Sequence, residues 1–563
     1  MRIDAKQEGP RQSMSWLHTW ASLILGWLLY AIFLTGTLSF FQNEITVWMK
    51  PELHQSVPQN SQIQQTQVAL NYLQKNHPNA GSWNIQLPNA RQNTTILTVR
   101  KIGEDPRARR GGERITLDSA TGEVLKARDT RGGSFLYRFH FELYGLPRLW
   151  TRWLVGIATL LMLVAIISGV ITHKKIFKDF FTFRAGKGQR SWLDAHNATA
   201  VLALPFHIMI TFSGLLLLLF TLMPWGINQI YENRGQFLQE QSRALVENKE
   251  NRNERAEGRN TERQNNSQAR GEKRQQRQKP EAQPAPLADI APILATAQQK
   301  WKDNPVGSIS IIAPNTNQGT IELRALLGES VAHRNVYDSL EFNAVTGQNI
   351  TDDSSRLKNP SVPMAIYNVV TVLHEARGVD LALRWLLFCS GIVGTLMVAT
   401  GLILWCVKRT PQQQKQGYKS FGYRVVEVTN IAAIIGLPIA CAAYFYANRF
   451  IPAQMDLRSD WEIRSFFIIW LLSLIYAALR PHRQAWLELL AFATLAFALL
   501  PVINFMTGGQ ALWNSIANGQ WMIASFDLAM WLLAILFFYS YQKVKNHKGL
   551  PVKKAKVTQE PEA

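Results

Sequence analysis

Residues 191–216 read SWLDAHNATAVLALPFHIMITFSGLL, and residues 15–38 read SWLHTWASLILGWLLYAIFLTGTL. Each holds a run of about 20 apolar residues, enough at about 1.5 Å per residue to cross a hydrocarbon core of roughly 30 Å. Each carries a histidine near its start: His196 precedes Gly214 by eighteen residues, and His18 precedes Gly36 by eighteen. An ionisable side chain in such a segment needs a partner or a task. The later segment adds a second histidine, His207, whose counterpart is Leu29.

The correspondence extends outward. His140-Phe-Glu-Leu-Tyr-Gly leads to Arg152-Trp153-Leu154, and Gly169 follows Arg152 by seventeen residues. His374-Glu-Ala-Arg-Gly leads to Arg384-Trp385-Leu386, and Gly401 follows Arg384 by seventeen. ITLDSATGEVLKARD (115–129) resembles LEFNAVTGQNITDD (340–353), each an extended run broken at a Thr-Gly turn. Before each lies a predicted amphipathic helix (64–76 and 287–301) and then β-like stretches such as TTILTV and GSISII. The pattern predicts an internally duplicated core, two copies of helix, small α+β domain and helix, related by an axis along the membrane normal. Parallel repeats of this kind build sites at their interface.

The whole chain has 563 residues, 47% of them hydrophobic, with 18 Trp and a formal charge of +20. Eight spans are predicted near 18–41, 152–172, 197–223, 384–405, 427–446, 463–480, 486–506 and 521–541. The expected fold is therefore an all-α membrane bundle of about eight transmembrane helices with two small α+β insertions. The first apolar run is too long for a cleavable signal and ends without a small-residue cleavage site, so it reads as a retained span. Lys and Arg crowd the short loops 173–190, 406–426 and 479–484 and the tail 542–563, which places these and both termini on the cytoplasmic side. The insertions 42–151 and 224–383 then lie outside. Within the second, 224–286 is rich in Glu, Arg, Gln and Asn and reads as a disordered linker, leaving 287–383 as the folded domain. The basic excess flanks membrane spans, so the expected partner is the lipid bilayer and no nucleic acid. Spans five to eight (427–541) have no counterpart in the repeat.

The three cysteines, Cys389, Cys406 and Cys441, form no CxxC or CxxCH motif, which argues against covalent c-type haem and cysteine-ligated clusters. Six of the eleven histidines cluster at the repeated spans: His18, His140, His173, His196, His207 and His374; the other five, His54, His77, His333, His482 and His547, sit in polar segments and are expected at the surface. A histidine at a helix end is an ordinary interfacial residue, and His18, His173 and His196 admit that reading. His207, near mid-bilayer, is costly unless satisfied. On one continuous helix eleven residues make almost three turns, so His196 and His207 share a face about 16 Å apart. Thr211, Ser213 and Gly214 nearby permit close approach of a bulky planar group. Zinc prefers four ligands in one shell, and these helices carry no HExxH or carboxylate cluster. Haem b needs only opposed histidines on two helices.

The run from Ser168 to Leu215, SGVITHKKIFKDFFTFRAGKGQRSWLDAHNATAVLALPFHIMITFSGL, with HTWASLILGWLLYAIFLTGTL before it, resembles the PepSY-associated transmembrane family. The resemblance covers roughly residues 10–410 and takes both insertions as PepSY-like domains. That family includes bacterial inner-membrane ferric-siderophore reductases. The resemblance implies a b-type haem oxidoreductase, with two haems, passing electrons outward to ferric iron held by a periplasmic siderophore or another chelate. His18, His173 and His196 become candidate iron ligands on the cytoplasmic side, paired as His18 with His196 or His173 with His196. His140 and His374 become the outer pair, with His207 assigned to that side. Their position ten or more residues before their spans requires the breaks at Gly145-Leu-Pro147 and Gly378 to fold them back, or leaves His207 another role. Arg152 and Arg384 read either as interfacial anchors or as contacts to haem propionates or substrate. Phe139, Tyr144, Arg148, Arg377 and Arg384 are candidate contacts to an anionic chelate.

No GxGxxG, flavin fingerprint or P-loop is present, so the expected electron donor is quinol or a separate cytoplasmic reductase. A transporter for iron or a chelate is the competing reading, although the core is expected to lack the intramembrane carboxylates and Pro/Gly-broken helix pairs typical of such sites. Asp527 in the last span is the exception, either a proton or quinone contact or a buried hydrogen bond. A peptide-sensing membrane protein is the third reading.

Overall fold

The computed structural model describes residues 9–547 apart from 60, 109–110, 174–175, 180, 226–228, 230–281, 334–335 and 352–361. The predicted disordered linker and the basic tail fall mostly outside the described residues. Helices dominate. In chain order they are α1 (Pro10–Ile24), α2 (Gly26–Ser39), α3 (Gln42–Trp48), α4 (Gln62–Asn76), α5 (Gly133–Glu142), α6 (Arg148–Thr172) and α7 (Ile176–Asp179). Then come α8 (Gln189–Leu202), α9 (Leu204–Leu217), α10 (Leu219–Leu222), α11 (Ile290–Trp301), α12 (Val362–Glu375) and α13 (Leu381–Gln416). The chain closes with α14 (Phe421–Ile431), α15 (Leu437–Phe450), α16 (Arg458–Leu479), α17 (His482–Met506), α18 (Leu512–Ala517) and α19 (Trp521–Lys545).

Among the described residues six helices are long and apolar enough to span a bilayer, and up to eight spans arise if each of two bent pairs counts as one. This is a multi-pass membrane architecture. On α6, Leu154, Ile157, Leu160, Ile167 and Ile171 are exposed, an apolar surface suited to hydrocarbon. Two boundaries differ from expectation. Helix α13 continues to Gln416, so most of the predicted loop 406–426 is helical and only a short turn remains before α14. Helices α14 and α15 form one span through a π-turn at Ala432–Gly436, where Trp470 Nε1 donates to the Ala432 carbonyl at 2.9 Å.

The bent pairs overturn two expectations, the shared-face geometry and the absence of Pro/Gly-broken helix pairs from the core. Helices α8 and α9 meet at 67°, and α1 and α2 at 64°. The breaks fall at Ala203 (φ −113°, ψ 26°) and Leu25 (φ −116°, ψ 14°), each seven residues after His196 and His18 respectively. Pro205 explains one break, since it has no N–H to continue the ladder and its ring crowds the preceding turn. The other instead brings Gly26 against Leu402, where a Cβ would lie 2.7 Å from Leu402 Cδ2. His196 and His207 thus sit on different helices, and a continuous-helix count does not apply to them.

The two insertions do not form two separate domains. Strands β1 (Ser82–Gln86), β2 (Thr95–Arg100) and β3 (Glu113–Leu117) come from the first, and β4 (Val306–Ile312), β5 (Thr320–Ala325) and β6 (Ser339–Asn343) from the second. They join in one six-stranded antiparallel sheet, ordered β3-β2-β1-β4-β5-β6. The seam pairs Trp83 with Ile311 and Ile85 with Ile309 on the buried face, as alternation demands. On the other face Asn84 Nδ2 donates to Ser310 Oγ at 2.7 Å. Helices α4 and α11 contribute Leu70, Leu73, Ile293 and Leu294 to a single apolar core beneath both halves.

Spans α14–α15, α16, α17 and α19 pack against α2, α3 and α5 of the first repeat and against α13 of the second, where Asn430 Nδ2 donates to the Leu402 carbonyl at 3.0 Å. Trp27 Nε1 donates to Asn430 Oδ1 at 2.8 Å, and Phe135 and Phe139 bury against Phe466 and Phe467.

Candidate functional site

Four of the six clustered histidines meet in two opposed pairs. His18 on α1 faces His196 on α8 with ring centres 6.2 Å apart. His140 on α5 faces His374 on α12 at 6.0 Å. The first pair lies toward the loop after α6 and the second toward the sheet, and they are called here the loop-side and sheet-side pairs. The sheet-side pair reaches the bundle because the chain folds back before each following span. Leu143 (φ 52°) and Gly145 (φ 83°) turn α5 against α2 before α6, and Ala376 (φ 49°) and Gly378 (φ 68°) do the same between α12 and α13. The fold-back that the distance of these two histidines from their spans required is therefore present.

Each ring is held from behind. His18 Nδ1 donates to the Ala165 carbonyl at 2.8 Å, and His196 Nδ1 to the Met397 carbonyl at 3.0 Å. His140 Nδ1 donates to the Ile32 carbonyl at 2.7 Å. His374 Nδ1 lies 2.7 Å from Ser213 Oγ, whose own proton goes to the Met209 carbonyl at 2.6 Å. With Nδ1 protonated and bonded, Nε2 carries the lone pair, and the bond raises its basicity as a metal ligand.

The repeated glycines make room for these rings. A Cβ at Gly36 would lie 2.6 Å from His140 Nδ1, one at Gly169 3.1 Å from His18 Cε1, and one at Gly401 3.0 Å from His196 Cε1. Gly214 faces His374 Cε1 at 3.5 Å, an ordinary contact. Each carbonyl acceptor lies one turn before its glycine: Ala165 before Gly169, Met397 before Gly401 and Ile32 before Gly36. The glycine spacing visible in the sequence is therefore the spacing of imidazole seats.

A cavity of about 300 Å³ adjoins the loop-side pair, lined by His18, His173, His196 and His207, with Lys408 and Arg409 at its polar end. His173 thus reaches the cavity wall, while the ring opposite His196 is that of His18. His207 is fully buried and lines this same cavity, so its assignment to the outer group does not hold. Two nitrogen–metal bonds of about 2 Å, plus about 1 Å from each nitrogen to its ring centre, put opposed rings roughly 6 Å apart. Both pairs have that spacing. Among the described residues no group of three or more His, Cys, Asp or Glu gathers around one point. The donor set is two imidazoles per pair.

The candidate arginines are engaged differently. Arg152 Nη2 pairs with Glu142 Oε1 at 2.5 Å and its Nε is buried without a partner. Arg384 is buried and donates to the Phe40 carbonyl at 3.1 Å and the Val379 carbonyl at 3.4 Å, which removes it from contact with an external chelate. Phe139 is removed likewise, buried among Phe466, Phe467 and Trp470. Tyr144 stacks on Phe467 at 5.8 Å and stays half exposed. Arg148 is exposed near Glu142, and Arg377 donates to Tyr137 Oη at 3.2 Å.

The sequence profile of the PepSY-associated TM region matches residues 15–408, well over half the chain. The chain belongs to this family. No curated protein matches it closely. The PepSY-associated region begins at the serine that precedes His18 by three residues and ends just beyond Gly401, so it holds all four paired histidines and all four glycines. The last four spans lie outside it.

Those spans attach to the PepSY-associated region through buried polar groups that the sequence reading did not single out, Asp527 apart. Trp48 Nε1 donates to Asp527 Oδ1 at 2.8 Å, Asn504 Nδ2 to Asp527 Oδ2 at 3.2 Å, and Arg449 lies over the Trp48 ring at 4.2 Å. Asp527 takes the hydrogen-bonded role. His54, expected on a polar surface, is fully buried beside this junction and accepts from Gln510 N at 3.2 Å. Burial and then the Arg449 charge push its pKa down to about 3. Asp194 was also missed. It is buried and accepts from Arg184 Nε at 2.9 Å, tying the loop after α7 to α8. A lone carboxylate between apolar residues was the available signal.

Proposed function

We propose that the protein is a b-type haem reductase of the bacterial inner membrane, passing electrons across the bilayer to a periplasmic ferric siderophore or similar iron chelate. One observation carries this reading: two opposed imidazole pairs, each backed by a Nδ1 acceptor and seated mostly on glycine, at two levels of one helical core. Haem supplies one-electron redox chemistry when bound, and two such positions in series make a path from one membrane face to the other.

In this reading His18 and His196 hold the cytoplasmic-side haem b, and His140 and His374 hold the outer one. Their Nδ1–H bonds fix tautomer and ring orientation, so each Nε2 is available without reorganisation. Lys408 and Arg409 at the cavity mouth suit haem carboxylates. The matched spacings, matched helix breaks and the symmetric sheet support descent from an internal duplication. Lys and Arg in the short loops support a cytoplasmic loop side and a periplasmic sheet. The released Fe(II) would feed iron uptake, and the electrons would come from quinol or a cytoplasmic reductase.

The test begins with the full-length protein purified in detergent. A red preparation with a Soret band, sharp α and β bands on dithionite reduction, and two haems per chain is expected. Reoxidation by ferric chelates, absent without iron, completes it. A colourless protein after expression with haem supplied overturns the reading.

A further inference from the structure

His207 lacks both the opposed imidazole and the Nδ1 acceptor that unite the four paired histidines. It is fully buried and lines the loop-side cavity, yet neither ring nitrogen has a hydrogen-bond partner. The Ala200 carbonyl is near enough to polarise the ring but does not meet hydrogen-bond distance and angle. The rings packed on it are Phe33 at 6.4 Å and Phe206 at 6.0 Å, not an imidazole. A ligating histidine almost always has its second nitrogen held by an acceptor. His207 has not.

The repeat supplies a second argument. The counterpart of His207 is Leu29, which lines the same cavity. The fold therefore accepts an aliphatic side chain at this position, and the imidazole is an addition to one half only. Across from it Gly394 leaves room for the ring, since a Cβ there would lie 3.3 Å from His207 Nε2. A buried polar group that packing neither needs nor satisfies calls for a partner from whatever fills the cavity.

We propose that His207 is not a ligand but a hydrogen-bond donor toward the haem held between His18 and His196, present in one half of the repeat where the other half carries Leu29. The proposal rests on the haem reading of the loop-side pair. Reduction adds electron density to the macrocycle, and an N–H dipole aimed at it in a medium of low dielectric favours that state. Leu29 has no such dipole, so the asymmetry raises the midpoint potential of the loop-side centre alone. His207 is a positioning and tuning residue in this account.

The experiment is a spectroelectrochemical titration of the purified holoprotein, with haem content and spectrum recorded beside it. His207→Leu keeps two haems per chain and a low-spin spectrum, and moves one titration wave to lower potential while the other stays in place. The double variant Leu29→His/His207→Leu carries the imidazole to the mirrored position and returns that wave toward its original potential. Should His207→Leu fold poorly, Leu29→His alone adds a second donor and raises the same wave. Loss of a haem or of low-spin character in His207→Leu makes the residue a ligand and overturns the proposal. Unmoved waves in these variants make it inert packing and overturn it too. Wild-type protein without haem defeats the parent reading along with it, and is told apart at the first spectrum.

Discussion

The imidazole of His140 rests against Gly36, with its Nδ1 donating at 2.7 Å to the carbonyl of Ile32, one turn earlier on the same helix. The wall that seats the ring also orients it, and the loop-side histidines repeat the arrangement on Gly169 and Gly401. Glycine and acceptor act as one unit.

A methyl group separates the seats. Gly36→Ala would place a Cβ 2.6 Å from the His140 ring and must displace it, whereas Gly214→Ala meets His374 at an ordinary 3.5 Å. Under the proposed function Gly36→Ala loses most of one haem equivalent and Gly214→Ala keeps both, measured as haem per chain.

Asp527 is a structural carboxylate at the junction of the last four spans with the core. Asp527→Ala leaves Trp48 Nε1 without its acceptor, and Asn504 Nδ2 with only the Gln510 carbonyl at 3.3 Å. Each unpaired buried donor costs about 1–3 kcal/mol. A lower melting temperature in detergent is expected, with the haem spectrum of the folded protein unchanged. Loss of electron transfer at unchanged melting temperature would instead favour the proton or quinone role.

Arg458 and Glu462 form an ion pair with both side chains fully buried, and Thr130 Oγ1 donates to Glu462 Oε2 at 2.6 Å. Removing one partner of such a pair costs about 3–5 kcal/mol, because the other charge stays buried. Glu462→Ala should therefore destabilise strongly. Glu322→Ala, which breaks the exposed pair with Arg107 at 3.4 Å, should change stability by no more than about 1 kcal/mol. Parallel thermal melts compare them.

His54 predicts an acid-side loss of stability. Its pKa is about 3 in the folded protein and near 6.5 in an unfolded chain. The unfolded state thus binds the extra proton, and the contribution present above about pH 6.5 is lost progressively as pH falls toward 3. His54→Gln should flatten the melting-temperature profile between pH 7 and pH 4. An unchanged slope would refute the assignment to His54.

The sequence alone determined that the chain crosses a membrane repeatedly, because runs of apolar residues near 20 long admit few other structures. It also determined which histidines and glycines correspond, since equal spacing in two segments needs no coordinates. The pairing of His140 with His374 was legible for that reason.

Other features depended on contacts between distant segments. A hydrophobic run looks continuous whether its helix is straight or broken, so the bends at Leu25 and Ala203 stayed hidden, and with them the true separation of His196 and His207. Strands β1 and β4 alternate alike whether they edge two sheets or meet in one, and only their mutual pairing decided it. Arg384, Phe139 and His54 read as surface or site residues because sequence carries side-chain chemistry but not the neighbours that bury it. Periodicity is a local property of the chain, whereas burial and hydrogen-bond partners are set by segments hundreds of residues apart, and these the tertiary structure decided.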